Sequence, residues 1–465
     1  MKDTDLDRRE VLKAMGMGAT ALGVGLVAPT IVARTARGEL LQSEQEYGGF
    51  TVERMPATDA YEVDPEVLKP IREKYTIFSR NEWDPLRQDR PETKQNLLHD
   101  RLVEGRGKVP NQTRLDYALM AASWATAGNG GLGRYGWTTQ TGQIRQIEGL
   151  GLDPWDPAEL GMNWDDAREA VKHAALFYGA SLAGVAELSP LWLYSDHFEP
   201  TEEDRERALP VLQDGERYEM AEDAWYIPKS MNRVVALAFE EDYYALANSP
   251  GRIASAAVGN GYSRMANTAF FLAEFLRGLG YRALPSGNGV GLSIPIAVDA
   301  GLGEVGRMGL LLTPKYGPRV RLAKVITDMP LGVDAPIRFG VQEFCEVCKL
   351  CATHCPSGAV TEGPRTWEGK SASNNPGVYK WYAEQEKCYD FNGFSCSNCK
   401  RVCPFNKPNN SWLHRLTRAV VEGRSGALDT VMVKLDQASG YGEQIDSLDF
   451  WRMDGSKGIT AREKM

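Results

Sequence analysis

All eight cysteines of the 465-residue chain fall between Cys345 and Cys403, and their spacing constrains the fold more than any other feature. The first four read Cys345-x2-Cys348-x2-Cys351-x3-Cys355-Pro356. This is the bacterial ferredoxin run, in which three thiolates close on one [4Fe–4S] cube and the cysteine before proline ligates a neighbouring one. The second four read Cys388-x7-Cys396-x2-Cys399-x3-Cys403-Pro404, the same run with its first gap stretched. Exchanging the last cysteines assigns Cys345, Cys348, Cys351 and Cys403 to one cluster. Cys355, Cys388, Cys396 and Cys399 take the other, and no thiol is left over. Four disulfides or two zinc sites are the alternatives. Disulfides belong to small domains that lack a core, and zinc sites rarely need this doubled spacing. The pattern implies single-electron transfer over a short hop, without saying where the electrons go.

The remaining composition is that of a globular protein with a sizeable core, 43% hydrophobic and 25% charged. A formal net charge of -9 argues against a broad nucleic-acid footprint. Arg8-Arg9 precede Val11-Leu12-Lys13 and an apolar, glycine-diluted stretch from Ala14 to Ala33. This resembles a twin-arginine export signal, with Asp7 and Val11 departing from its usual form and with Ala33 and Ala36 as cleavage positions. Such export carries folded proteins, so thiols can be capped by metal before they leave the reducing cytoplasm.

Further along, "AGNGGLGRYGW" (Ala127–Trp137) is glycine-rich but lacks the lysine of a P-loop. It is either a turn or a close approach to a bulky ligand. From Trp164, "WDDAREAVKHAALFYGASLAGVAEL" carries acids in its first turn and apolar residues at helical spacing. It is predicted as one buried helix that reaches Ser189-Pro190. A charged, proline-spaced stretch follows (Phe198–Tyr226). "RVVALAFE", "YRALPSGNG" and "RLAKVITD" read as strands, and "SRMANTAFFLAEFLRGLG" as a second buried helix, opened by Tyr262. The mixture without a repeated unit predicts an α+β fold. "GLGEVG" (Gly301–Gly306) matches a dinucleotide fingerprint, but only Arg307 to Thr313 lie between it and Pro314. That is too short for the crossover helix the site requires.

The segment from Gly261 to Leu331, running into the paired cluster motifs and preceded by the export signal, resembles the reductive dehalogenases of organohalide-respiring bacteria. The resemblance covers about Trp164 to Trp412. It implies a nitroreductase-like core that holds cobalamin or a related corrinoid base-off, joined to a ferredoxin-like module with two [4Fe–4S] clusters. None of His99, His173, His197, His354 or His414 sits in an Asp-x-His-x-x-Gly motif, so a lower histidine ligand to cobalt is not signalled. The family's substrate-facing tyrosine, asparagine and arginine fall on Tyr262, Asn288 and Arg321, and Tyr262, Asn288, Gly289 and Gly291 fall at the cofactor. Read without the resemblance, Tyr262 is a core aromatic, Asn288 a turn residue and Arg321 a surface charge. Trp124 and Trp137 are candidates for the substrate pocket or equally for core.

The implied division is a signal (1–36), an N-terminal cobalamin and substrate-pocket region (37–163) and the core (164–331). A cluster module (332–410) and a C-terminal region packing on the core (411–465) complete it. The implied reaction is R–X + 2e⁻ + H⁺ → R–H + X⁻ at the outer face of the cytoplasmic membrane, as the terminal reductase of an anaerobic respiration. The implied partners are an organohalide, a small membrane-anchor protein, an electron donor such as a menaquinol pathway or membrane reductase, and a second copy of the chain; nucleic acid is not among them. A cytoplasmic enzyme resembling epoxyqueuosine reductase shares corrinoid and clusters but acts on transfer RNA, against which the export signal and acidic charge both argue. A non-catalytic corrinoid or electron-transfer protein is the remaining alternative, for which the chain is longer than needed.

Overall fold

The computed structural model describes residues 52–88, 163–213, 215–392, 396–408 and 426–452, with 116, 119, 123 and 161 besides. The Arg8-Arg9 signal, Trp124 and the glycine-rich loop to Trp137 lie outside these residues.

Helix α1 (Trp164–Phe177) starts where Asn163 caps it, the side-chain oxygen accepting from the Asp166 N–H at 2.8 Å. Ala167, Val171 and Ala175 recur every four residues and are fully buried, so one stripe of the helix meets the core. The expected continuation to Ser189 does not occur. Gly179 turns the chain with a φ of +109°, and "LAGVAE" becomes strand β1 (Leu182–Glu187). Its small residues suit a helix locally. Residue-for-residue pairing with the central strand, from Leu182↔Ala238 to Glu187↔Arg233, overrides that preference.

The central strand is β2 (Arg233–Glu240), followed in sequence by helix α2 (Arg252–Gly278), β3 (Ala283–Ser286) and β4 (Val320–Thr327). The antiparallel sheet runs β1-β2-β4-β3. Alternation along β2 and β4 makes two cores. Val235, Leu237, Phe239, Ala323 and Val325 pack on α1 and α2. Val234, Ala236, Ala238 and Ile326 pack on Ile296, Val298 and Leu302 across the other face. A strand buried on both sides must be apolar throughout, which is why "VVALAF" shows no alternation.

The charged stretch around Phe198–Tyr226 folds into a second four-stranded sheet, ordered Asp196–Phe198, Ala208–Leu212, Trp225–Tyr226, Glu219–Met220. Residues Glu304–Val305 and Leu311–Leu312 pair as a hairpin, so "GLGEVG" opens no crossover helix. The cluster module has its own core of Phe339, Phe344, Trp381 and Phe405. Each of its two cysteine runs bends at one residue with left-handed backbone, Lys349 (φ 52°) after Cys348 and Ser397 (φ 57°) after Cys396.

Candidate active site

Three elements meet at the phenol of Tyr262. Arg321 lies on β4 at the same parity as Ala323 and Val325, so its side chain points at α2. Its guanidinium sits 4.7 Å from the Tyr262 ring centre and donates to the phenol oxygen at 3.4 Å. Asn288, exposed on the turn after β3, donates to the same oxygen at 2.9 Å. Tyr262 does not open its helix. Because α2 begins at Arg252, the tyrosine stands well inside it, where the helix dipole, which fades within a turn of the end, contributes nothing. The cation beside the ring is the electrostatic feature of this site.

Arg321 reaches Tyr262 by crossing α2 at Gly261. A Cβ there would stand 2.8 Å from the Arg321 Cγ and 3.7 Å from the Glu241 Cγ. Only glycine leaves that passage open. Behind Arg321, Glu241 is 1% exposed. One of its oxygens accepts from Arg321 Nε at 3.0 Å and the other from the Lys400 ammonium. Burial works against the Glu241 carboxylate, but Lys400 and then Arg321 outweigh it and hold it below the usual range. Neither Glu241 nor Lys400 stands out in the sequence. The available signal for the first is an acid directly after an unbroken apolar strand.

The turn that carries Asn288 is held from below. Lys324, on the opposite face of β4 from Arg321, donates to the Gly287 carbonyl at 2.6 Å and to Ser293 Oγ at 3.1 Å. Burial pushes this ammonium down to about 7. Gly289 is buried beside Asn288, and a Cβ there would meet only Glu73 Oε1, at 3.8 Å. The exposed Asn288 edge is the part of this turn that a flat macrocycle can approach. Gly291 is glycine because the Trp192 carbonyl occupies the place of its side chain. A cleft of about 610 Å³, open mouth included, lies elsewhere between Tyr61, Glu304, Arg365 and Trp381, and Tyr262, Asn288 and Arg321 do not line it.

All eight thiols are free. Burial pushes Cys345 and Cys399 up to about 11 and Cys348, Cys388 and Cys396 up to about 12. Thiols so placed ionise only beside a strong local cation, which an iron cluster supplies. Their mutual influence groups Cys403 with Cys345 and Cys348, and groups Cys388 and Cys396 with Cys399 and Cys355. Cys351 feels Cys345 and Cys403 first, then Cys399, so the groups adjoin there. Among the described residues no three His, Cys, Asp or Glu side chains converge closely enough for a single metal ion; a four-iron cube takes its ligands further apart. His354, inside the first run, is exposed and bonded locally, its Nδ1 lying 3.0 Å from the Leu350 carbonyl.

The 4Fe-4S double cluster binding domain family matches residues 344–406. The tetrachloroethene reductive dehalogenase of Sulfurospirillum multivorans is 37% identical over 368 residues, covering 74% of this chain and 72% of that protein. The enzyme of the same name from Desulfitobacterium hafniense is 37% identical over 381 residues, covering 71% and 68%. Epoxyqueuosine reductase of Escherichia coli is 33% identical over 119 residues, 25% of this chain. Among solved structures, the catabolic reductive dehalogenase NpRdhA shares the fold with a TM-score of 0.59 at 21% identity. The match covers 85% of this chain and 49% of that one, so this chain spans about half the length of that protein. The chain belongs to the reductive dehalogenases. It is an oxidoreductase that replaces halogen by hydrogen, with two [4Fe–4S] clusters as cofactors.

Proposed function

We propose that Tyr262 delivers the proton of the dehalogenation, with Arg321 and Asn288 as its partners, on a chlorinated ethene. The observation that carries this reading is the meeting of all three side chains at one phenol oxygen. A bound corrinoid supplies a strongly reducing cobalt, and the clusters supply its electrons. The protein must supply the remaining proton of R–X + 2e⁻ + H⁺ → R–H + X⁻. Tyr262 holds that proton on its oxygen. Arg321 and Asn288 both donate to this atom, so both stabilise the negative charge that develops there as the proton leaves. Exposed Asn288 also stands where it orients the organohalide. The substrate class rests on the relatives, whose names give tetrachloroethene as what they act on.

The same reading gives one cluster to Cys345, Cys348, Cys351 and Cys403 and the other to Cys355, Cys388, Cys396 and Cys399. It places the corrinoid, base-off in a nitroreductase-like core, against Tyr262 and the turn of Asn288, Gly289 and Gly291. No helix among the described residues is long and apolar enough to cross a membrane. On this reading the enzyme is exported by the twin-arginine route and attached to the outer membrane face by a small anchor protein. A menaquinol pathway or membrane reductase is the electron source, and a homodimer the assembly. Replacing Arg8 and Arg9 with lysine tests export, which should fail in fractionated cells.

The decisive experiment is halide release driven by reduced viologen, with chloroethenes, chlorinated aromatics and brominated phenols as substrates. Wild type should prefer the chloroethenes. Tyr262→Phe should lose at least about 10²-fold in turnover, the lower end for losing a general acid, with corrinoid and iron contents unchanged. Near-normal turnover in that variant, fully loaded, would remove Tyr262 from the reaction.

A further inference from the structure

We infer that Glu241 is a positioning residue of the dehalogenation site and the link between that site and the second cluster. This rests on the roles proposed above for Tyr262 and Arg321. The carboxylate is bound on both sides by cations from distant parts of the chain. Arg321 comes from β4, and Lys400 from the short helix Asn398–Arg401, directly after Cys399. The three side chains form a triad in which Glu241 and Lys400 are buried, at 1% and 5% exposure, and Arg321 is partly buried. The neighbouring charges are otherwise engaged. Arg319 pairs with Glu240, and Arg264 donates to the carbonyls of Gly179 and Glu240. Glu241 thus fixes the height of Arg321 beneath Tyr262, and the absence of a side chain at Gly261 keeps the lane of Arg321 open.

The triad also carries charge information. Net charge and hydrogen bonding around a cluster set its reduction potential. Lys400, next to Cys399, eases the arrival of an electron there, and Glu241 offsets that effect. Removing the two charges must therefore move the potential in opposite directions. Charges without electrostatic reach to the cluster predict no such pair of shifts, and a brace that only stabilises the fold predicts an unchanged kcat in the loaded enzyme. Glutamine at 241 would keep the shape but offer one acceptor where the site needs two, leaving one cation facing an amide donor.

The test compares cofactor-loaded wild-type, Glu241→Gln and Lys400→Gln enzymes by viologen-driven halide release and by redox titration followed with electron paramagnetic resonance. Glu241→Gln should lower kcat about tenfold or more, as expected for a misplaced catalytic partner, with KM little changed. It should shift the Cys355/Cys388/Cys396/Cys399 cluster to a more positive potential. Lys400→Gln should shift that cluster to a more negative one. Wild-type kcat in Glu241→Gln, or potentials that stay put or move together, would overturn the inference. Should Glu241→Gln fail to load, the sign of the Lys400→Gln shift decides, supported by Glu241→Asp, which keeps the charge and should leave the potential near wild type. Tyr262→Phe separates the two layers. If it loses turnover while Glu241→Gln keeps it, only the role of Glu241 falls; if Tyr262→Phe stays active, the underlying assignment falls instead.

Discussion

Two buried glutamates, one beside each cysteine run, meet opposite fates. Glu304 supports the start of the helix that carries Cys345, accepting from the N–H groups of Phe339 at 2.5 Å and Val341 at 3.3 Å. It is 4% exposed, and burial pushes its carboxyl up to about 7 because backbone dipoles only partly offset the lost water. Glu241, beside the second run, is as deeply buried yet held below the usual range once Lys400 and Arg321 face it. Dipoles tolerate a buried carboxylate; full charges keep it ionised. The first run therefore adjoins an acid that sheds its charge near neutrality. The second adjoins a permanent ion triad that ends at Tyr262.

The sharpest break of this comparison is to remove one thiol from each group. Cys403→Ala should abolish or convert the cluster of the first run although the residue lies in the second, and Cys399→Ala should do the same to the other cluster. Turnover should fall to background in both, with spectroscopy showing which cluster survives; loss of the wrong cluster would reverse the assignment. Next in size is Gly261→Ala. Its methyl must push Arg321 aside from Glu241 and Tyr262, so kcat should fall about tenfold while iron content and the first cluster stay as in wild type.

The smallest effect reads the glutamates themselves through pH. Between about pH 4, where Glu304 titrates in the unfolded chain, and about pH 7, the folded chain holds a proton that the unfolded chain has released. Stability on this account falls as pH rises through that window and is level above it, a loss of up to about 3 kcal/mol. Denaturant titrations of Glu304→Gln should show that decline flattened. Glu241 works in the other sense. Its folded value is depressed, so its contribution is present at neutral pH and lost only in acid, below about pH 4. An unchanged slope in Glu304→Gln would show that water reaches the carboxyl.

The double-cluster domain was legible from cysteine spacing alone, because the ferredoxin run is a recurring sequence pattern. Strands β2, β3 and β4 were legible from apolar runs. Helix α1 was overrun because "LAGVAE" carries no local strand signal and its fate is decided by pairing with β2. The sequence pattern places the start of α2 at Tyr262, whereas the helix begins at Arg252 and runs through Gly259 and Gly261, the second of which leaves room for Arg321. Tyr262, Asn288 and Arg321 became visible only through resemblance. Glu241 and Lys400 stayed hidden, since each looks like an ordinary surface charge until a partner 159 residues away is brought beside it.

Strand β4 carries Arg321 toward α2 and, three residues on, Lys324 toward the turn of Asn288. In mechanical terms both jaws of the site are bolted to one beam. A shift of that beam moves Arg321 and Lys324 together, so the support of the phenol and the support of the Asn288 turn stay matched to each other. The spacing is gauged by the covalent pitch of a single strand, about 10 Å for three residues, rather than by the fit of two independently mounted parts. The two supports are thereby held in register by the strand itself and not by the loops that flank it.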